Sequence, residues 1–245
     1  MSYFQDFPNT FYKFGDETKA VIAQDLSTYV DVLDTIKDES SIYTKYQIFD
    51  NERPDQLSFK LYGTPDFYWT FFLMNDNIRE QGWPLSNTEI IKFAQAELTL
   101  NTITTRVTLA DKFKVGNTLE GVASGATGRI DHRHLDLGQL VLTNVSGNFT
   151  AGEGLQEKTP GGTLLNDISS AVFSYTPEYL SAHHYEDASG TYTDIDPTVG
   201  PGALLTEITY LDRYIRLNDA LKEIRVIKKD SIFKVVEAFN QAVRS

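Results

Sequence analysis

Residues 53–83 read RPDQLSFKLYGTPDFYWTFFLMNDNIREQGW, and the punctuation of this stretch decides the fold. Pro54 is suited to the first turn of a helix, where its missing N–H is not needed. Leu57, Phe59, Leu61 and Tyr62 follow, and Gly63 stands where a helix C-cap takes a left-handed conformation. Thr64 then caps a second helix with Pro65 at its first position. That helix carries Phe67, Tyr68, Trp69, Phe71, Phe72, Leu73 and Met74 and is expected to end at Asn75-Asp76-Asn77. It is apolar nearly all round, which predicts burial on several sides.

Upstream, Ile42, Tyr46 and Ile48 predict a strand, taken as Tyr43 to Phe49, that closes at Asp50-Asn51. Downstream, Ser86-Asn87-Thr88-Glu89 opens a helix over 87–98. Ala203 to Leu221 has helical spacing. The alternation in Glu223-Ile-Arg-Val-Ile227 predicts a short strand, and Asp230 or Ser231 caps a final helix holding Ile232, Phe233, Val235, Val236, Phe239 and Val243. Near the start, Tyr3, Phe4, Phe7, Phe11, Tyr12 and Phe14 place six aromatic rings in fourteen residues. A free terminus is normally polar, so these rings are expected to dock on the core or on a partner. A helix is expected over Ala20 to Ile36.

The middle of the chain differs in composition. Ten of the 16 glycines lie between Gly116 and Gly162. Phe113-Lys-Val-Gly116-Asn-Thr-Leu119 recurs 36 residues later as Phe149-Thr-Ala-Gly152-Glu-Gly-Leu155, with Gly125 answering Gly161. Two copies of strand, glycine turn and strand predict a small barrel with pseudo-twofold symmetry. The reading is therefore α+β: an N-terminal arm with a helix (1–42), the first part of a core domain (43–100), an inserted glycine-rich β-barrel-like domain (101–176), and a return segment with the closing strand and C-terminal helix (177–245). Asp187 to Gly202 is expected to be a surface loop.

Across 245 residues the formal net charge is −12 and aromatic residues make up 12%. Acidic balance argues against generic nucleic-acid binding, which needs clustered Lys and Arg. The charge is uneven: residues 1–100 carry net −8, whereas 213–245 hold 8 basic and 4 acidic groups, net +4. There is no cysteine, so thiolate metal sites, disulfides and cysteine nucleophiles are excluded, as expected of a protein assembled in a reducing cytoplasm. The N-terminus lacks the basic start and apolar run of a signal peptide, and no run of about 18 apolar residues suggests a membrane span.

Chemistry-bearing motifs are sparse. His132 and His134 in Asp131-His-Arg-His-Leu-Asp136 form an H-x-H that puts both rings on one face of a strand, with Asp136 as a possible third ligand, or else form a polar hairpin tip. His183 and His184 are adjacent and are expected on opposite faces, so joint ligation is not expected. No nucleophile elbow, zincin, Walker A or dinucleotide motif is present. The glycines of Gly121-Val-Ala-Ser-Gly125-Ala-Thr-Gly128 belong to the β-repeat. No catalytic, cofactor or metal residue is assigned.

The order strand, helix, Tyr-Gly, helix and distant strand resembles a LysM module with a long insertion. A narrower resemblance is to the LysM-like baseplate wedge subunit of contractile-tailed bacteriophages. Members of that family carry an R-P-E-x-L…Y-G-x-P…Y-W…N-D-N…G-W core. It stands here as Arg53-Pro54-Asp55-Gln56-Leu57, Tyr62-Gly63-Thr64-Pro65, Tyr68-Trp69, Asn75-Asp76-Asn77 and Gly82-Trp83-Pro84, joined by Leu217 to Asp230 near the end. The resemblance implies a structural virion protein without catalysis that links neighbouring wedge proteins into the sixfold tail baseplate. Its implied partners are the inner ring-forming wedge subunit, the sheath-initiator protein and neighbouring wedges. Tyr62 and Trp69 are expected in the core. Arg53 is expected to pair with Asp55 or Asp76, or to be solvated. Trp83 is either an interface anchor or a plug on the core, since Trp is enriched at binding hot spots. Tyr3, Phe4, Phe7, Phe11, Tyr12, Phe233 and Phe239 are further interface candidates. The alternative is a LysM-type peptidoglycan-binding module, with a groove between Asp50–Asp55 and the return strand.

Overall fold

The computed structural model describes residues 9–13, 15, 19–24 and 41–244. The strands, in chain order, are β1 (Asn9–Tyr12), β2 (Val21–Gln24), β3 (Tyr43–Gln47), β4 (Asn101–Thr105), β5 (Thr118–Gly121), β6 (Thr127–His134), β7 (Gln139–Ser146), β8 (Leu155–Lys158), β9 (Leu164–Ile168), β10 (Val172–Pro177), β11 (Ala182–Glu186), β12 (Tyr192–Thr193), β13 (Thr206–Thr209) and β14 (Glu223–Ile227). The α-helices are α1 (Pro54–Tyr62), α2 (Trp69–Met74), α3 (Asp76–Gln81), α4 (Asn87–Glu97), α5 (Tyr210–Ala220) and α6 (Ile232–Arg244). The fold is α+β. Two compact units divide the chain: residues 1–86 with 218–245, and residues 87–217.

In the first unit, β3 and β14 pair antiparallel, Tyr46 opposite Ile224 and Thr44 opposite Val226. Their buried face meets α1, α2 and α6 in a core of Ile48, Leu57, Tyr62, Phe71, Ile78, Ile224, Val226 and Ile232. Helix α1 starts at Pro54 and stops at Gly63, whose φ of 80° lets its N–H reach the Phe59 carbonyl at 2.9 Å. Any side chain would strain this left-handed position. Pro65–Phe67 forms a 3-10 turn with Thr64 as its cap, Oγ1 accepting from the Asp66 N–H. Five of the six residues of α2 are buried, in accord with the all-round apolar reading. Helix α6 buries Ile232, Val235 and Phe239, and Phe239 lies 5.0 Å from the Trp69 ring.

As expected, the helix over Trp69–Met74 ends at Asn75, whose backbone is extended, and the short helix α3 follows at once from Asp76. Two expectations about elements are corrected. The helix expected from Ala203 begins only at Tyr210. Thr206, Ile208 and Thr209 are β-branched and their segment pairs with β11, and Thr209 exchanges hydrogen bonds with Asp212, donating its N–H at 2.9 Å and accepting the Asp212 N–H at 3.0 Å. The helix expected over Ala20 to Ile36 has a strand, β2, at its beginning. Val21 and Ile22 pair with Tyr12 and Phe11 of β1, as β-branched residues prefer; residues 25–36 lie outside the described residues.

In the second unit a seven-stranded antiparallel sheet runs β10-β4-β7-β6-β5-β8-β9, over a core of Ile103, Phe113, Leu119, Ile130, Leu140, Leu142 and Leu155. The sheet is open, with β10 and β9 as edges, so the expected barrel does not close among the described residues. Its curl brings Val172 to the turn before β8. Gly152 donates to its carbonyl at 2.7 Å and its N–H reaches the Glu153 carbonyl at 3.1 Å, too short a clip to make a ladder. The repeat is visible in space. Gly116 and Gly152 have φ of 89° and 85°, and Phe113, Phe149, Leu119 and Leu155 are buried. Glu120 faces Gln156, its equivalent 36 residues on, across the β5–β8 ladder. A local twofold therefore passes through that pair. The copies lose register afterwards: the left-handed residues are Gly125 and Gly162 rather than Gly161, because the β8–β9 ladder shifts between Glu157 and Lys158. A second sheet of this unit runs β12-β11-β13. Asp187 to Gly202 is mostly loop, with β12 inside it.

Candidate functional site: surfaces and polar clusters

The stretch 53–83 supplies structure first. Arg53 precedes α1 and holds Asp55 through Nε and Nη2, both at 3.1 Å, so the pairing is with Asp55 and not Asp76. The pair is solvent-exposed and contributes little stability. Pro54 is the first helical residue. Leu57 is fully buried, and Tyr62 is buried with its hydroxyl donating to the Ile227 carbonyl at 2.9 Å. Trp69 is buried and Tyr68, its neighbour, is exposed.

Asn75 makes the most specific contacts. Its Nδ2 donates to the carbonyls of Phe71 and Arg225, each at 2.8 Å, and its Oδ1 accepts the Arg225 N–H at 2.7 Å. One amide thus ties α2 to β14. Asn75→Ala removes all three bonds and leaves their partners half-buried, for an expected cost of about 2–4 kcal/mol. Urea unfolding checks it, and a cost below about 1 kcal/mol would show that water replaces the amide.

Trp83 packs its ring against Phe71 and Phe72 at 6.0 and 5.8 Å, and its Nε1–H donates to the Glu52 carbonyl at 2.7 Å. Of the two alternatives, the plug on the core accounts for these contacts. Pro84 beside it is half-buried. Trp83→Phe keeps most of the packing and loses the hydrogen bond, for an expected loss of about 1–2 kcal/mol, read as a lower denaturation midpoint.

The remaining candidates divide. Phe11 is 76% exposed, Tyr12 53% and Phe233 67%, whereas Phe239 is buried. Tyr3, Phe4, Phe7 and Phe14 lie outside the described residues. A cavity of 310 Å³ beside β14 is lined by Lys45, Asn75, Asp76, Asn77, Glu223 and Arg225 among others. It holds no aromatic ring on which a sugar could stack, and none of residues 50–55 lines it.

All four histidines gather in the second unit. The rings of His132 and His134 are 5.1 Å apart, and Tyr210 lies near His134 and His183. His183 and His184 do not face opposite ways as expected: the β11–β13 ladder shifts register between Ala182 and His184, and the bulge brings their Nδ1 atoms to 2.9 Å. His184 also meets Glu186 at 3.0 Å, and Arg216 holds the same carboxylate at 2.6 Å. Among the described residues no three His, Cys, Asp or Glu are grouped to hold a metal.

Two carboxylates escaped the sequence reading. Glu157 is 1% exposed and accepts from the N–H groups of Phe113 and Lys114, each at 2.7 Å, and from the amides of Asn117 and Asn166 at 2.6 and 2.5 Å. Glu153 accepts from Thr150, Ala123 and Ser124. Burial opposes their ionisation, but the donated hydrogen bonds outweigh it and hold both carboxyls below their ordinary range. The available signal was their place in the repeat, beside the glycine turns they anchor.

These shifts fix a pH dependence. Burial lowers the His134 and His183 pKa values, helped at His134 by His132 and at His183 by Arg213, His184 and His134. The unfolded chain then binds more protons, so stability is lost as pH falls below about 6.5. Glu153 and Glu157 add a second loss below about 4.5. Glu178, raised by burial, works the other way and offsets part of it. Urea midpoints at pH 7.5 and 5.5 are expected to differ for the native chain and to differ less for His183→Asn. Equal shifts in both would contradict this.

The family model described as base plate wedge protein 53, a phage family, matches residues 11–96. The chain resembles a phage baseplate wedge subunit. The match runs from the β1–β2 hairpin through β3, α1, α2 and α3 to the end of α4, and it supports a structural role in the baseplate, a place in the virion tail and contact with other baseplate proteins. No curated protein matches the chain. Among the described residues no helix is long and apolar enough to cross a membrane.

Proposed function

We propose that this protein is a structural subunit of the baseplate wedge, binding without catalysis and linking neighbouring wedge proteins into the sixfold baseplate of a contractile tail. The observation that carries the reading is the family match over 11–96, laid on a scaffold that keeps large rings exposed. The β1–β2 hairpin sets Phe11 opposite Ile22 and Tyr12 opposite Val21, and all four are exposed. A two-stranded ribbon is marginal alone in water, so these rings are suited to a partner's surface. Phe233 offers a second contact and the basic stretch after residue 213 a third, with charge setting register.

In this reading the first unit is a LysM-like βααβ core. Its support is the antiparallel β3–β14 pair with α1 and α2 between them in sequence. Residues 87–217 are then an insertion into that core. The glycan-binding alternative draws no support from the cavity beside β14. The test is co-expression with the other wedge proteins followed by size-exclusion chromatography. Co-elution in one complex is expected; a chain that elutes alone while the others assemble overturns the proposal.

A further inference from the structure

The two edges of the β3–β14 sheet are treated differently. Ile48 N–H donates to the Lys222 carbonyl and Lys228 N–H to the Ile42 carbonyl. Antiparallel alternation with the observed register then points the main-chain groups of Glu223, Arg225 and Ile227 out of one edge, and those of Tyr43, Lys45 and Gln47 out of the other. The β14 edge is occupied: Asn75 takes both the N–H and the carbonyl of Arg225, and Tyr62 takes the carbonyl of Ile227. Among the described residues nothing pairs with the outward groups of Tyr43, Lys45 and Gln47. An unpaired edge is a template for another strand.

Charge says what kind of strand. Lys45 sits directly opposite Arg225, and like charges facing each other across a ladder are unfavourable. Glu223 holds Lys45 at 2.6 Å, while Arg225 lies over the Tyr43 ring at 5.1 Å. A second copy of β3, paired over its whole length, would add Lys45 against Lys45. A strand with a carboxylate beside Lys45 would instead balance the row.

We infer that the β3 edge is a docking site for an extended strand of a neighbouring baseplate protein, with an acidic residue opposite Lys45. This rests on the wedge reading and names the mode of contact. Lys45→Pro tests it, because its N–H points outward. Proline there removes an edge donor without breaking a β3–β14 bond, whereas Lys45→Ala removes the charge and keeps the edge.

In co-expression with the wedge proteins, Lys45→Pro is expected to weaken incorporation at least tenfold and Lys45→Ala less, with melting temperatures close to the native chain's. Hydrogen exchange on the native complex is expected to protect the 43–47 segment relative to the free chain, which keeps the test valid if the proline variant misfolds. Normal incorporation of a folded Lys45→Pro, or no added protection, overturns the inference. So does an edge occupied by a second copy or by the chain's own residues 25–40 in a structure of the complex. Failure of the native chain to assemble overturns the wedge reading itself.

Discussion

Glu157→Ala is expected to destabilise the second unit by about 3–5 kcal/mol, since an orphaned buried donor costs about 1–3 kcal/mol. The carboxylate gathers two backbone N–H groups from the Phe113–Lys114 turn and the amides of Asn117 and Asn166. Phe113 is itself fully buried with φ of 55°, so the turn holds an unusual conformation that these bonds maintain. The two asparagine amides can recover water, whereas the backbone donors cannot follow them to the surface. Glu157→Gln keeps an acceptor but turns its own N–H groups toward donors, so about half the loss is expected. Denaturant unfolding checks both. An alanine variant within 1 kcal/mol of the native chain would mean that the repeat turns stand on their packing alone.

Phe239→Ala is expected to cost a similar amount, about 3–5 kcal/mol for a buried ring, through the first unit. Phe239 is 1% exposed and covers Trp69. Deleting it leaves a cavity beneath α6, whose other anchors are Ile232 and Val235. The indole then gains solvent, so a red-shifted fluorescence emission accompanies the lower midpoint, while Phe239→Leu is expected to cost less than about 1.5 kcal/mol. Unchanged emission in the alanine variant would show that α6 is held elsewhere.

The core of the first unit was legible because its signals are local and mutually consistent. Pro54 and Gly63 bracket α1 at the residues the spacing predicts, and Glu223–Ile227 alternates as a strand should. What was not legible depends on partners distant in sequence. Asn75 ends α2 as its sequence position implies, but its second role, a cross-link to a strand 150 residues away, has no local signal. The packing of Trp83 on the core depends on the Glu52 carbonyl, 31 residues away in sequence. The histidines at 183 and 184 follow strand alternation only where the ladder has no bulge. Glu153 and Glu157 look like surface acids until the repeat folds its turns over them. In the candidate surfaces, Phe11 and Phe239 read alike as aromatic residues near a terminus, and only packing separates the exposed ring from the buried one.

The central claim is a structural place in the tail, and a cryo-EM map of the tail end tests it most directly. The prediction is density for this chain in each sector of the sixfold baseplate, with the segment 11–96 against neighbouring wedge proteins and an added strand along Tyr43–Gln47. A baseplate complete without this chain would contradict the account.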